Sequence, residues 1–362
     1  MSLSGQVHRA GGLRATGSIA GPVRGVGQLP VAFTHGEGHP LPHMPKRLDI
    51  RLIAPSGYAE DRAAGERGIE RLMAAGHTVH GTEVLDRRFL RFAGTEAERA
   101  ADLNQFVHAD VPVPDLVMAT CGGYGTIALL DLIDFDGLAA RFLDEPFVIV
   151  GHGEFTVLQC ALYARSAIGS LHGPMLVPDF GAPYLRENTW RHFWHTALSP
   201  RTDVNWTCSE DQRDLLVEGT LWGGNLSSLC ALAGTPYLPR IDGGILFVEE
   251  TGEQAWRIER MLYELKLAGV LERQRAILIG GLGGQRVSEY DNGYDIDHAL
   301  QRFGRACNLP MLRGLTFGHG ADKWTLPFGA HAVLECVDGT ATLSAYNYTH
   351  AGATNGGPVA SA

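Results

Sequence analysis

Residues 147–156, FVIVGHGEFT, constrain the fold more than any other stretch because the pattern of the chain changes abruptly within them. Four apolar residues, typical of a buried strand, run into a Gly-x-Gly turn, and apolar residues at spacings of three and four then predict a helix. A strand, a sharp turn and a helix form the setting in which hydrolases present a nucleophile, since the turn lifts one side chain clear of the sheet. The residue at the tip of this turn is Gly153, which has no side chain.

Predicted strands and helices alternate through the first half of the chain. We predict strands at 48–54 and 115–120 and helices around 69–73, 95–107 and 127–133, the second of them starting at a capping box in TEAE (95–98). This alternation predicts a Rossmann-like α/β domain with a parallel sheet, whose ligands bind at the carboxyl ends of the strands. Two glycine-rich turns, at 122–125 and 151–153, lie at such ends. We therefore expect both turns to line one site.

Composition and periodicity divide the chain into five segments. They are a disordered extension or upstream start (1–43), an α/β domain carrying the nucleophile turn (44–165), a connector (166–215), a β-rich domain (216–350) and a flexible tail (351–362). The first is rich in Gly, Pro and His and contains a single acidic residue, Glu37, so it lacks the pattern of a folded core. The β-rich domain is predicted from strands near 244–248, 276–279, 332–336 and 341–345.

Charge and composition exclude several classes of function. The net charge of -10 argues against binding to DNA or RNA, which requires a basic face. No apolar run approaches the 18 residues of a membrane helix, so we predict no membrane span. Six cysteines are scattered without a C-x-x-C pair, which predicts reduced thiols and a cytoplasmic protein.

The sequence predicts neither a metal nor a cofactor. His35, His39 and His43 have the spacing of metal ligands, but they lie on a Gly/Pro-rich backbone where that spacing fixes no geometry. The glycines at 280–284 do not form a dinucleotide fingerprint, because the sixth position counted from Gly281 is occupied by Arg286. We interpret them as a turn after a strand.

Two polar residues of the second half are candidates for catalysis. Glu249 follows the apolar run 244–248, where a carboxylate is either a surface or helix-start charge or the acid that orients a catalytic histidine. His319 is flanked by glycines, a context that suits either a solvated loop histidine or a projecting imidazole base. Together with the tip at Gly153 they supply, in chain order, the three positions of a serine triad.

Ten dispersed segments carry a resemblance to a known family. They are LIAPSGY (52–58), RFAGTEAER (91–99), CGGYG (121–125), GHGEFTVLQCAL (151–162), GPMLV (173–177), EGTLWGGNL (218–226), GTPYLPRI (234–241), WRIERML (256–262), LTFGH (315–319) and TLPFGAHA (325–332). In these segments, and from about residue 48 to 346, the chain resembles the serine LD-carboxypeptidases, the muramoyl-tetrapeptide carboxypeptidase family. The resemblance implies an active site in the cleft between the two domains and usually a homodimer. It also implies a cytoplasmic role in peptidoglycan recycling, in which D-Ala is hydrolysed from murein tetrapeptides by a Ser–Glu–His triad without metal.

The resemblance assigns roles to particular positions. The triad acid falls on Glu249, the base on His319 and the nucleophile on Gly153, where the family has Ser. The backbone N–H of Glu154 and one from the Gly122–Gly123 turn would then donate to the oxyanion. Trp222 and Asn225, in the TLWGGNL match, are candidate substrate-binding residues, although a buried structural Trp is the favoured interpretation of the first.

The departures from the family pattern cluster at this predicted site. Besides Gly153, Glu154 stands where the family usually has Asp, and Cys121 where it usually has Arg. The sequence leaves open whether Gly153 is natural or engineered, and the two additional changes favour natural divergence. Without the hydroxyl an acyl-enzyme cannot form at position 153, and rescue would need Thr156, Cys160 or a water activated by the histidine.

Three hypotheses follow from these assignments. The chain is an LD-carboxypeptidase by descent, inactive or strongly impaired because loss of a triad nucleophile typically costs on the order of 10⁶ in turnover. Alternatively, it is a non-catalytic protein that still binds murein peptides. The third possibility is a hydrolase of the same fold acting on another peptide conjugate, as in the related microcin-immunity peptidases.

Overall fold

The computed structural model describes residues 46–208, 214–284 and 288–352. The predicted disordered extension at 1–43, and all but the first two residues of the predicted tail at 351–362, lie outside these ranges. Within them, no helix is long and apolar enough to cross a bilayer.

The described residues form thirteen strands and eight α-helices. The strands are β1 (Asp49–Ile53), β2 (Thr78–His80), β3 (Leu116–Ala119), β4 (Val148–Gly151), β5 (Ser170–His172), β6 (Arg201–Thr207), β7 (Leu215–Asn225), β8 (Gly244–Thr251), β9 (Gln274–Gly283), β10 (Met311–Arg313), β11 (Leu326–Phe328), β12 (His331–Val337) and β13 (Thr340–Tyr346). The helices are α1 (Arg62–Ala74), α2 (Glu96–Asn104), α3 (Phe135–Asp144), α4 (Phe155–Ser166), α5 (Glu187–Leu198), α6 (Leu226–Leu232), α7 (Ala255–Leu267) and α8 (Ile296–Ala306).

The strands build two sheets. The first has the order β11-β5-β4-β3-β1-β2 and is parallel except for β11, which runs antiparallel to β5. The second has the order β10-β9-β8-β7-β12-β13-β6, with parallel pairs from β10 to β7 and antiparallel pairs from β7 to β6. The predicted combination of a Rossmann-like α/β part and a β-rich C-terminal part is therefore confirmed.

Helix α4 is buried between the two parts of the described fold. Every residue from Phe155 to Leu162 is buried, including the polar Thr156 and Gln159, so this part of the helix belongs to the core. Its side chains share one apolar cluster with strand β4 below the tip and with Trp222 and Leu226 of the second half. The helix that carries the tip is thus held by both parts of the fold.

The predicted capping box is confirmed, whereas the predicted helix through 127–133 is wrong. Thr95 accepts the N–H of Glu98, and Glu98 in turn accepts the N–H of Thr95, so α2 begins there. Residues Thr126–Leu129 form only a 3₁₀ turn, and α3 begins after Asp134, whose side chain accepts the N–H of Gly137. Apolar residues spaced strictly by three fit a 3₁₀ turn as well as an α-helix.

The segment 166–215 contributes regular structure to both parts of the fold. It contains β5 of the first sheet, α5, and β6 of the second sheet. Helix α5 packs Trp190 and Trp194 against Phe180 in a second apolar cluster. A later segment, 314–325, passes from β10 of the second sheet to β11 of the first, and it carries His319.

Candidate active site

Gly153 forms the tip of a tight turn between β4 and α4. Its φ is +65°, in the left-handed region that residues with a side chain adopt only at a cost. The N–H of Phe155 donates to the carbonyl of His152 and that of Thr156 to the carbonyl of Gly153, so the helix starts directly behind the tip. This is the backbone of a nucleophile turn.

The absent side chain of Gly153 would point at His319. A Cβ built on Gly153 would lie 3.0 Å from His319 Nε2 and 3.2 Å from its Cε1. A hydroxyl carried on that Cβ would therefore be within hydrogen-bonding reach of the imidazole nitrogen that faces it. The structure thus brings together two of the three positions assigned from sequence.

Glu249 holds the other nitrogen of the same imidazole. Its carboxylate, 0% exposed on β8, has Oε2 2.7 Å from His319 Nδ1. Gly318 makes this approach possible, because it has φ +83° and a Cβ there would lie 2.4 Å from the Glu249 side chain. All three positions of the predicted triad therefore meet.

The charges of this pair stabilise each other. Burial alone would lower the pKa of His319, but the hydrogen bond to Glu249 and its negative charge outweigh it, so this pKa lies above its ordinary value. Burial would raise the pKa of Glu249, yet the hydrogen bond and charge of His319, with smaller effects from His172 and His152, hold it below its usual range. The geometry suits an acid that orients a base and stabilises its charged form.

The second glycine-rich turn, 122–125, is tied to the tip by the Glu154 side chain. Glu154 Oε1 accepts the N–H of Gly125 at 2.8 Å, and its Oε2 accepts the hydroxyl of Ser56 at 3.0 Å. A Cβ on Gly122 would lie 3.9 Å from the carbonyl oxygen of His152, so the two turns are adjacent as expected. The N–H groups of Gly122, Gly123 and Glu154 make no hydrogen bond to any described residue, which leaves them available as oxyanion donors.

A buried charged cluster that sequence reasoning missed lies against His319. The Lys323 ammonium contacts Asp179 Oδ1 at 2.5 Å and lies 3.2 Å from His152 Nε2, which is itself 3.1 Å from Asp179 Oδ2. The ring of His152 packs edge-on against that of His319, with 5.1 Å between centroids. Burial, and after it the charge of Lys323, lower the pKa of His152 below its ordinary value, against the opposing effect of Asp179.

Asp179 carries the negative charge of this cluster. Burial would raise its pKa, but His152 and Lys323 lower it to about 2. The only sequence signal for the cluster was the position of His152 beside the tip. Asp179 and Lys323 lie far from it in sequence.

Comparison with known proteins places these features in a family. Residues 50–173 match the LD-carboxypeptidase N-terminal domain and residues 218–334 match the LD-carboxypeptidase C-terminal domain. A crystal structure of muramoyltetrapeptide carboxypeptidase from Oxalobacter formigenes is 40% identical, with a TM-score of 0.76 over 83% of this chain and 99% of that one. The chain belongs to the LD-carboxypeptidase family.

Two curated relatives show the range of this LD-carboxypeptidase family. The murein tetrapeptide carboxypeptidase of Pseudomonas aeruginosa is 30% identical over 79% of this chain and 92% of its own length. The microcin C7 self-immunity protein of Escherichia coli is 27% identical over 83% of this chain and 94% of its own length.

The substrate-binding roles predicted for Trp222 and Asn225 do not fit the structure of this LD-carboxypeptidase family member. Trp222 is 1% exposed and donates its indole N–H to Gln274 Oε1, so it belongs to the core. The Asn225 side chain is buried too, where it caps α6 at Ser228 and donates to Glu250 Oε1. Both side chains are occupied within the β7–α6 corner, and neither lines the cavity beside His319.

Neither nearby side chain replaces the serine of the LD-carboxypeptidases. Thr156 is fully buried, and its Oγ1 accepts the N–H of Asn225 at 2.9 Å. Cys160 is also fully buried, and burial raises the pKa of its thiol far above the usual value. Cys121, where the family usually has Arg, is partly buried, and burial raises its pKa to about 11.

Replacing Glu154 by Ala is expected to lower the free energy of unfolding by about 1–3 kcal/mol. The change removes the acceptor of the Gly125 N–H and of the Ser56 hydroxyl, so the turn at 122–125 loses its anchor to the tip. Urea denaturation of purified protein measures this difference. Glu264→Ala is the control, because Glu264 lies on an exposed helix face in an ion pair with Arg260, where we expect a change within about 0.5 kcal/mol. Equal effects of the two changes would contradict the anchoring role.

Proposed function

We propose that this protein is a murein-peptide-binding member of the LD-carboxypeptidase family in which acyl transfer is blocked at Gly153. The observation that carries the proposal is the 3.0 Å between the Cβ position of Gly153 and His319 Nε2, while Glu249 occupies Nδ1 of the same ring. Acid and base are arranged for a nucleophile that the chain lacks. The names of the relatives from Pseudomonas aeruginosa and Oxalobacter formigenes support murein tetrapeptide as the ligand.

The remaining residues define which chemical steps the site can support. A serine hydroxyl at the tip would give its proton to His319 Nε2 and attack the carbonyl of the peptide bond to D-Ala. Glu249 would stabilise the imidazolium that results, and the imidazolium would then protonate the departing amine. The N–H groups of Glu154 and the 122–123 turn would hold the oxyanion. In the present chain, binding, orientation and oxyanion contacts remain, but no atom at position 153 can form the acyl-enzyme.

The unmodified protein is expected to bind a murein tetrapeptide without releasing D-Ala from it. Binding is measured by isothermal titration calorimetry and by the shift in melting temperature, and release by a coupled D-amino-acid oxidase assay. The control peptide is a scrambled tetrapeptide of the same composition. Rapid release of D-Ala would contradict the block at Gly153, and the absence of both heat and thermal shift would contradict the binding role.

A second candidate is recognition of a different peptide conjugate. It is favoured by the similarity to the microcin C7 self-immunity protein, which covers as much of this chain as the carboxypeptidases do. Structures of the microcin C7 self-immunity protein hold aminoacyl sulfamoyl nucleosides, and calorimetry with such a compound alongside the tetrapeptide separates the two functions. Tighter binding of the nucleoside conjugate would favour this second function.

The resemblance further supports proposals about assembly and cellular role. We infer a homodimer acting in cytoplasmic peptidoglycan recycling, as the family pattern implies. Light scattering after size-exclusion chromatography tests the homodimer, and a monomer at micromolar concentration would contradict it. The murein-peptide content of a deletion strain tests the second.

A further inference from the structure

A cavity of about 260 Å³ opens beside His319. The polar side chains that line it include His152, Asp179, Tyr184, Arg186, His319 and Lys323. Ligand pockets usually enclose about 300–1,000 Å³, so this cavity suits one end of a peptide better than a whole tetrapeptide. Its position next to the acid–base pair places that end close to the bond that the family cleaves.

The charges around the cavity leave an excess of positive charge. Lys323 and Asp179 form a buried ion pair, and Asp179 Oδ2 additionally accepts the N–H of Met175 at 2.8 Å. Both oxygens of the Asp179 carboxylate therefore already have partners within the wall of the cavity. Arg186 is exposed at the start of α5, and its guanidinium makes no hydrogen bond or ion pair with any described residue.

An unpaired arginine at such a cavity has a specific chemical preference. The planar guanidinium matches a carboxylate with two parallel hydrogen bonds, which gives orientation as well as attraction. Lys323 adds no second free charge, because its buried ammonium is paired with Asp179, so the uncompensated positive charge at the cavity is that of Arg186. The cavity is thus built to receive an anion.

We propose that Arg186 is a specificity-determining residue that binds a carboxylate of the peptide in this cavity. The inference rests on the proposed function, since it concerns the ligand of the same site. A murein tetrapeptide carries two carboxylates of the kind that a guanidinium binds. One belongs to the terminal D-Ala, and the other to the side chain of a diamino-dicarboxylic acid at the third position.

The test is calorimetry with three peptides on the full-length protein and on Arg186→Gln. The peptides are the tetrapeptide with a diamino-dicarboxylic acid, the same peptide with a D-Ala carboxamide, and a tetrapeptide with lysine at the third position. We expect Arg186→Gln to weaken binding of the first peptide by about 10- to 100-fold, as for a hydrogen bond to a charged group. For the peptide that lacks the carboxylate bound by Arg186, the unmodified protein and Arg186→Gln should have the same affinity.

The matched control is Arg191→Gln. Arg191 lies on the same helix, has a side chain 68% exposed, and pairs only at 3.8 Å with Glu187. We expect it to leave all three affinities unchanged. Equal binding by the unmodified protein and Arg186→Gln would overturn the inference while leaving the proposed function intact, as would an equal loss for all three peptides. No binding of any peptide by the unmodified protein would overturn both.

Discussion

Gly153→Ser is expected to create D-Ala release from a murein tetrapeptide in a protein that we propose to be blocked at this step. The new hydroxyl would lie within reach of His319 Nε2, and Glu249 already holds the opposite nitrogen. Loss of a triad nucleophile typically costs on the order of 10⁶ in turnover, so even partial recovery would be a large change. The coupled D-amino-acid oxidase assay measures this release.

Gly153→Ala is the matched control for this experiment. Both substitutions place a Cβ at φ +65° and 3.0 Å from His319 Nε2, so the imidazole must shift by a few tenths of an ångström in each. We expect both to lower the free energy of unfolding by about 1–2 kcal/mol, the cost of a left-handed conformation for a residue with a side chain. Only the serine variant should gain activity. Activity in the alanine variant would show that the nucleophile lies elsewhere.

An inactive Gly153→Ser variant would point to the other departures from the family pattern. If the variant binds the tetrapeptide as tightly as the unmodified protein, the acid–base pair and the recognition site are in place but the reacting groups are misaligned. Cys121 and Glu154 are then the positions to examine, since both lie on the adjoining turns. Restoring Arg and Asp at these positions in the serine background tests this directly.

Glu249→Gln in the Gly153→Ser background is expected to reduce the recovered turnover by about 10⁴-fold, the effect of neutralising the acid of a serine triad. Glutamine preserves the size of the side chain but removes the charge that stabilises the imidazolium of His319. The Michaelis constant should change little, because the carboxylate is 0% exposed and cannot touch the peptide. A rise in the Michaelis constant with unchanged turnover would contradict the assigned role.

The same substitution has a signature that does not depend on activity. The raised pKa of His319 means that its ionised form stabilises the fold below pH 6.5 and that this contribution is lost as pH rises through the folded pKa. Because the pKa of Glu249 is lowered, its contribution is present above pH 4.5 and is lost as pH falls. The stability difference between the unmodified protein and Glu249→Gln should therefore be larger at pH 5.5 than at pH 8.5. Nuclear magnetic resonance titration of the His319 ring should show its pKa lowered by Glu249→Gln.

The sequence predicted those parts of the site that depend on local pattern. The tip at Gly153 follows from an apolar strand that ends in Gly-x-Gly before a helix, the local setting in which a sharp turn lifts one residue clear of the sheet. The triad positions at Glu249 and His319 required the family resemblance, because neither residue has a decisive local context. Their meeting depends on Gly318, whose missing side chain lets the imidazole approach the carboxylate.

Features that depend on packing between distant segments were not predicted. The ion pair of Lys323 with Asp179 joins residues 144 positions apart, and no periodicity relates them. A binding role for Arg186 was not predicted either, because an exposed arginine indicates such a role only when the cavity beside it is known. At Trp222 the favoured interpretation, a buried structural Trp, fits the structure, and the substrate-binding candidate does not. A glycine-rich neighbourhood suggested a cleft, whereas those glycines accommodate close backbone packing, as at Gly223, where a Cβ would collide with the carbonyl oxygen of Phe247.

Strand β11 links the formation of the acid–base pair to the folding of the whole chain. It pairs with β5 across 154 residues, Leu326 opposite His172, and such distant contacts must overcome a large loop-closure entropy before they form. The base arrives with this strand, because His319 lies on the segment that leads into it. A nascent chain that has emerged only as far as β5 therefore carries an unpaired sheet edge, which is a template for self-association until β11 pairs with it. The short strand that follows His319 in the chain therefore also protects the sheet edge from aggregation during synthesis.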